Sequence, residues 1–349
     1  MLATVTDNAA SLADELGQWL GSGRLQSAEG AFCAWLDATT GELAFPFPEI
    51  TGYALTWLAR SGGENVPEVE AGHRAARWLV DRLRSGDRSA RSGYDREAVY
   101  TFDLGMIAAG LISFGRCTGT AEYVDQGAQV AQQLAALVRQ TGELPAIAPD
   151  GPSSERSPEW STVGRVHLAK CAQALLLVDE VEAAGSLCEV ALAAQHKQGW
   201  FATAPGETIM LHPVLYAVEG LWITGTATGQ TWLLSAAADA AQWVWRQQLP
   251  SGGLPRSVNE SGPGVEQIDV TTQAIRAAVL LELGCPGLEA AIRRVLTLAR
   301  PDDGYGQALI YQPDAQGSDH LNAWVTMFGE QAVRVAALGS EALSWNTLV

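Results

Sequence analysis

Basic residues are scarce in this chain: 22 lysines and arginines face 39 aspartates and glutamates, a formal charge of -17. A surface of that sign repels phosphate backbones and polyuronates and offers no cationic stripe for counterion release. Nucleic acid and anionic glycans are therefore not expected partners, whereas neutral or cationic small molecules are. Cysteine is sparse as well. Cys33, Cys117, Cys171, Cys188 and Cys285 are odd in number and show no C-x-x-C spacing, which reads as reduced core thiols. No apolar run reaches the roughly 18 residues of a membrane span. The opening "MLATVTDNAASLADELGQWL" lacks the basic patch and continuous apolar run of a secretory signal. A cytoplasmic chain with no membrane partner is expected. H-E-x-x-H, P-loop, G-x-G-x-x-G and nucleophile-elbow patterns are missing too, so no metal or cofactor is expected and nucleotide hydrolysis and serine-type acyl transfer lack support.

What the chain has is length, apolar residues and repetition. Its 349 residues, 47% of them hydrophobic, can bury a sizeable core. Six segments share a loop with Gly and Pro, a polar or charged residue, and then an apolar helix: "PEITGYALTWLA", "AVYTFDLGMIAAGLISF", "WSTVGRVHLAKCAQALLLV", "MLHPVLYAVEGLWITG", "EQIDVTTQAIRAAVLLEL" and "DHLNAWVTMFGEQAVRVAAL". Marked by Glu49, Asp103, Arg165, His212, Asp269 and Asn322, they recur at steps of 54, 62, 47, 57 and 53 residues. That is the length of a helical hairpin with its loops. Amphipathic helices are predicted between them near residues 66–84, 120–139, 183–197, 230–248 and 286–299, and a sixth near 5–21 would close a ring against the last apolar helix. Six outer helices around six inner ones make an all-α (α/α)6 toroid, a single domain over residues 1–349.

The loops that lead from outer to inner helices, such as "TGELAFPFP", "RSGYDREA" and "SGGLPRSVNESGPG", are longer than the inner-to-outer turns such as "RSGGENVP". They open on Gly beside a large apolar residue, which ends the outer helix and tucks the chain over the core. Long loops gathered on one face mark the binding side. All inner helices begin there, so Glu49, Asp103, Arg165, His167, His212, Asp269 and His320 are expected to converge at one mouth, where helix N-termini favour ionised carboxylates.

Glu49 follows Pro48, and a first-turn carboxylate on free N–H groups explains it as well as a ligand-facing acid does. Asp103 is the strongest candidate: Tyr94, Asp95 and Arg96 offer a helix start, which leaves Asp103 inside an apolar helix beside Tyr100 and Phe102, and a buried acid needs a partner or a purpose. Asp269 reads as an N-cap or as a site acid. His212 precedes Pro213, which holds it extended at a helix entrance as a proton carrier, with Tyr216 and Glu219 further along that helix. His167 and Arg165, two residues apart, point to different faces. His320 is flanked by Ser318 and Asp319, either of which can cap. His73 and His196 belong to outer helices and read as surface residues. Of twelve tryptophans, Trp78, Trp232, Trp243 and Trp245 fall on outer helices. Trp35, Trp160, Trp200 and Trp324, with Tyr53, Tyr100, Tyr216 and Tyr305, are expected near the mouth, where aromatic faces beside carboxylates suit a sugar and equally a lipidic or cationic ligand.

"PEITGY", "YTFDLG", "GRVHLAKCAQALL", "LHPVLYAVEGL" and "NAWVTMFGEQA", with the hairpin repeat, resemble the six-hairpin (α/α)6-toroid superfamily over essentially the whole chain. That superfamily includes N-acylglucosamine 2-epimerases, unsaturated glucuronyl hydrolases and polysaccharide lyases, and the chain also looks like prenyltransferase-like toroids of bacterial glycan and natural-product pathways. Resemblance to the epimerases implies an acid/base pair from the fourth and sixth inner helices, here His212 and His320. Resemblance to the uronyl hydrolases implies aspartates near inner-helix starts, here Asp103 and Asp269. The D-x-D-D acid of class II terpene cyclases does not occur. The expected function is general acid/base chemistry on a neutral or cationic sugar-like molecule, epimerase, isomerase or glycosidase-like, with Asp103 as acid or base and His212 and Glu49 as partners. A non-catalytic scaffolding toroid and a terpenoid cyclase with an apolar lumen stand as alternatives.

Overall fold

The computed structural model describes residues 2–60, 66–86, 98–149, 158–203, 206, 208–313 and 319–349. Its helices are α1 (Leu2–Gly21), α2 (Pro48–Arg60), α3 (Val66–Ser85), α4 (Thr101–Thr118), α5 (Ala121–Thr141), α6 (Trp160–Val163), α7 (Ala172–Leu176), α8 (Val181–Ala193), α9 (Leu211–Thr228), α10 (Thr231–Trp245), α11 (Ile268–Leu280), α12 (Leu288–Leu298) and α13 (Ala323–Leu338), and a 3₁₀ segment, Val166–Cys171, runs into α7. Helix α2 packs on α4, α4 on the 3₁₀ segment and α7, the 3₁₀ segment on α9, α9 on α11, α11 on α13, and α13 back on α2. The inner ring is closed. Outside it lie α3, α5, α8, α10 and α12, with α1 against α13 as the sequence predicts. This is the (α/α)6 toroid.

Burial follows the two sequence patterns. Helix α4 is buried without a break from Thr101 to Gly115, because neighbours and outer layer leave it no solvent face. In α5, only Tyr123, Gly127, Val130, Ala131, Leu134, Ala135 and Val138 are buried, the three- and four-residue stripe of a one-sided helix. The inner backbones approach closely: a Cβ on Gly110 would collide with the Gly52 carbonyl of α2. No described helix is long and apolar enough to cross a membrane.

Two side-chain devices recur where outer helices turn inward. Gln26, Gln195 and Gln248 each donate from Nε2 to a carbonyl four residues on (Gly30, Gly199, Gly252) and to one on the next outer helix or at its start (Ala71, Ala236, Gly287), at 2.6–3.0 Å. The three glycines have φ of 106°, 104° and 91°, and a Cβ would stand 2.6–2.8 Å from the Arg74, Asp239 and Ala290 carbonyls. Positive φ and close approach both demand Gly. One turn inside α2, α11 and α13, Thr51, Thr271 and Thr326 accept the Phe32, Leu254 and Leu309 amides at 2.9–3.1 Å. Each threonine pins the loop before it.

Two inner elements differ from expectation. Helix α4 begins at Thr101, so Asp103 lies in its first turn and not deep inside it. The reason is a loop pairing: Thr101 N donates to Ala146 O and Ala148 N to Val99 O, which holds the chain extended up to Tyr100. Tyr94, Asp95 and Arg96, the expected helix start, lie outside the described residues. The third inner helix is broken. Gly164 is extended after α6, and helical turns resume only after Arg165.

All five cysteines are free. Burial pushes the Cys33 and Cys188 thiols up to about 11, and the Cys171 thiol higher, through burial and then the nearby Asp103 charge. A raised folded pKa contributes stability that is complete below the unfolded value of about 9 and is lost as pH climbs through the folded one. Lys170, lowered by burial to about 8 from 10.5, has the opposite sign: its contribution is present above 10.5 and lost as pH falls through about 8. Burial raises the Cys117 and Cys285 thiols as well, so five thiols oppose one ammonium. The unfolding midpoint is therefore expected to fall between about pH 9 and 11, with a shallower slope in Cys188→Ala. Thermal denaturation across that interval checks it, and a rising midpoint would refute it.

Candidate active site

Polar and aromatic residues inside the inner helices repeat at spacings of four and then three, which keeps them on one helix face. Helix α9 presents His212, Tyr216 and Glu219; α11 presents Asp269, Gln273 and Arg276; α13 presents Trp324, Phe328 and Gln331. Glu49 and Tyr53 on α2, and His167 and Lys170 on the 3₁₀ segment, follow the same stagger. The lumen is thus built in layers.

The top layer surrounds a cavity of about 330 Å³ lined by Glu49, His167, His212 and Asp269, with Tyr100, Phe102, Trp160, Tyr216, Tyr311 and Trp324 as aromatic walls and Phe47, Ile50, Glu159, Ser161 and Arg256 completing it. That volume suits a small ligand. His212 sits between protein and cavity. Its Nδ1 lies 2.7 Å from Gln273 Oε1 and 3.4 Å from Asp269 Oδ2, and its ring meets the edge of Tyr216 at 4.3 Å. Asp269, 1% exposed, is oriented by Gln267 Nε2 and the Val270 amide, which donate to its Oδ1 at 2.7 and 2.8 Å. The Trp160 indole stands edge-on to both imidazoles, 5.2 Å from His167 and 5.8 Å from His212. Two histidines and two carboxylates, all largely buried, therefore face one small space.

The layer beneath is the floor. Tyr53 and Tyr216 share a hydrogen bond of 3.0 Å between their hydroxyls, and Phe328 packs on both rings. Burial raises both phenols well above the usual range, helped at Tyr53 by Tyr216 and then Glu49 and at Tyr216 by the Glu49 charge, so they remain neutral donors and acceptors. Lower still, Glu219 accepts from Arg276 Nη2 at 2.5 Å and pairs with Lys170 at 3.0 Å. Arg276 lies over the Phe328 ring. It and Lys170 donate to the Val349 and Leu348 carbonyls at 2.7 and 3.3 Å, so the last residues close the far end.

Of the residues singled out from sequence, Glu49, His167, His212, Asp269, Tyr100, Trp160, Tyr216 and Trp324 converge. The others do not. Asp103 is fully buried but absent from the cavity wall: Phe102 faces the lumen, and one residue further along a helix turns a side chain about 100° away. His320 is in a strand, stacked on Trp35 at 4.7 Å and 3.8 Å from Asp37, where the chain's first and last long loops pair antiparallel. Tyr53 belongs to the floor, bonded to Tyr216, and does not line the cavity. Arg165 points out to Glu143 at 2.7 Å. Trp200 stacks on His196, just past the end of α8, and packs against Trp243 of the outer layer, and Tyr305 is 41% exposed beneath the Arg24 guanidinium.

Phe47, Ile50, Phe102, Glu159, Ser161, Arg256 and Tyr311 also line the cavity and were not anticipated. All but Ile50 and Phe102 come from loops or a short helix, where no periodicity marks them. Lys170, Gln273 and Arg276 were not anticipated either, although polar residues at helical spacing in apolar helices are a signal that marks them. Among the described residues no three His, Cys, Asp or Glu side chains are grouped as metal ligands would be.

No protein-family profile matches the sequence, and no curated protein matches it. Solved structures do match the fold. The cellobiose 2-epimerase of Bacillus thermoamylovorans B4167 is 12% identical with a TM-score of 0.73, over 96% of this chain and 100% of that one. The unsaturated glucuronyl hydrolase of Bacillus sp. GL1 is 13% identical with a TM-score of 0.69, over 96% and 98%. A type II terpene cyclase from Scytonema, in complex with geranylgeranyl dihydroxybenzoate, is 16% identical with a TM-score of 0.62, over 96% and 99%.

Proposed function

Starting from the (α/α)6 fold, we propose that this chain is an enzyme that binds a neutral or cationic sugar-sized molecule at the mouth of the toroid and moves a proton on it by general acid/base chemistry. One observation carries the reading: His212 and His167, with Glu49 and Asp269, face a single cavity of about 330 Å³ walled by Trp and Tyr. Imidazoles transfer protons near neutral pH, and aromatic faces pack on the C–H faces of a sugar ring. His212, oriented at Nδ1, is the proton-transfer group. His167 or Glu49, elsewhere on the wall, is its counterpart. Asp269 stabilises the imidazolium formed when His212 takes a proton. Asp103 and His320 have no part in this scheme, because neither reaches the cavity.

The reading is supported by fold neighbours named as a cellobiose 2-epimerase and a D-mannose isomerase, whose reactions are of this class. An apolar terpenoid substrate fits less well. Beneath the cavity the lumen holds the Tyr53–Tyr216 hydroxyl pair and then the Lys170–Glu219–Arg276 cluster, which puts hydroxyls and charges where a terpenoid would need apolar walls.

Thermal-shift and calorimetric titration against neutral, amino and acidic mono- and disaccharides test the binding, followed by incubation of any hit in D2O. A neutral or amino sugar is expected to bind and to acquire solvent deuterium at a carbon next to its carbonyl. Binding of no sugar at all would refute the reading, and a selective uronate would overturn its charge argument.

A further inference from the structure

The hydrogen bonds beneath His212 run in one direction, and that direction starts at the bottom of the lumen. Glu219 is ionised: burial pushes its pKa up, but the Arg276 and Lys170 charges together bring it below the ordinary value. An ionised carboxylate only accepts hydrogen bonds. Gln273 lies 3.3 Å from Glu219 Oε1 through Nε2, so its NH2 must face downward, and the choice between its two flipped orientations is made by this neighbour. Its carbonyl oxygen then faces upward, 2.7 Å from His212 Nδ1. A carbonyl oxygen cannot donate. The hydrogen between them must sit on Nδ1, and Asp269 Oδ2, 3.4 Å from the same nitrogen, is a second acceptor that agrees.

We infer that Gln273 is a positioning residue: locked by the Glu219–Arg276–Lys170 cluster, it holds neutral His212 as the Nδ1–H tautomer, leaving the Nε2 lone pair for the cavity. Imidazole in water favours the other tautomer, so the protein has to impose this one. Nε2 has no protein partner among the described residues, and His212 lines the cavity. The inference rests on the proposal that His212 transfers the proton, and it names the atom that does so. It also gives the buried charges a purpose at the site: Arg276 is pinned by Gln331 Oε1 at 2.8 Å and by the Val349 carbonyl, so the far end of the ring sets the polarity of an amide one turn below the cavity.

The test needs no substrate. Protein labelled with 15N in the histidine rings is measured by long-range 1H–15N correlation at a pH where His212 is neutral, with its signals assigned by their loss in His212→Asn. The wild type is expected to show a pyrrole-type Nδ1 and a pyridine-type Nε2. Gln273→Leu is expected to lose that pattern and shift toward the Nε2–H form, and Gln273→Glu, which keeps an acceptor on Nδ1, to restore it. An Nε2–H wild type overturns the inference, as does an unchanged pattern in Gln273→Leu, which would leave Asp269 alone as the orienting group. Should Gln273→Leu not fold, Gln273→Met, which also removes the acceptor and keeps the length of the side chain, is read against the same two outcomes. Failure of every sugar to bind would remove the proposed function without touching these spectra, and an Nε2–H spectrum would remove the inference without touching binding.

Discussion

His212→Asn is expected to lower turnover by about two to four orders of magnitude, the usual worth of a positioned acid/base group, while leaving the fold nearly intact. The side chain is at the cavity rim and 13% exposed. Asparagine retains polarity there but cannot carry a proton near neutral pH, so the loss belongs to kcat more than to ligand affinity. A loss of unfolding free energy of about 1–3 kcal/mol is expected, because the buried Gln273 Oε1 loses its donor. Asp103→Asn is the matched control: fully buried but outside the cavity, it should spare ligand affinity. Loss of turnover in Asp103→Asn alone, with His212→Asn fully active, would move the site away from the cavity described.

Arg276→Met is expected to be the most destabilising single change in the lumen, by about 3–5 kcal/mol, because removing one member of a buried charge cluster leaves the others uncompensated. Arg276 is wholly buried and donates to Glu219, Gln331 and the Val349 carbonyl at 2.5–2.8 Å. Without it, Glu219 keeps Lys170, itself weakened as a cation by burial. Equilibrium denaturation measures the loss directly. A cost below about 1 kcal/mol would mean that water or a rearranged Lys170 replaces the guanidinium, and that the cluster is not the rigid base assumed for Gln273.

These two residues also show how far the sequence can be read. Arg276 lies seven residues after Asp269 and three after Gln273, and His212, Tyr216 and Glu219 repeat that spacing on α9. Polar residues at helical period within apolar helices share a face, and a helix buried all round has only the lumen in which to put it. Asp103 misled for the same geometric reason. Its helix starts later than its sequence invites, since Val99 and Thr101 pair with the loop at Ala146 and Ala148, and the side chain next to Phe102 then turns off the lumen. His320 fails differently: its strand pairs with Trp35–Asp37, a contact between segments almost the whole chain apart.

From the order of residues alone came the ring itself. Six apolar helices alternating with six one-sided ones, at steps of 47 to 62 residues, suit a closed double layer that buries both kinds of surface. Which side chains meet at the mouth was decided by tertiary structure. Arg256 and Tyr311 reach the cavity from loops whose course is set by distant strand pairs and threonine anchors, and such long-range contacts leave no periodic mark on the chain that makes them.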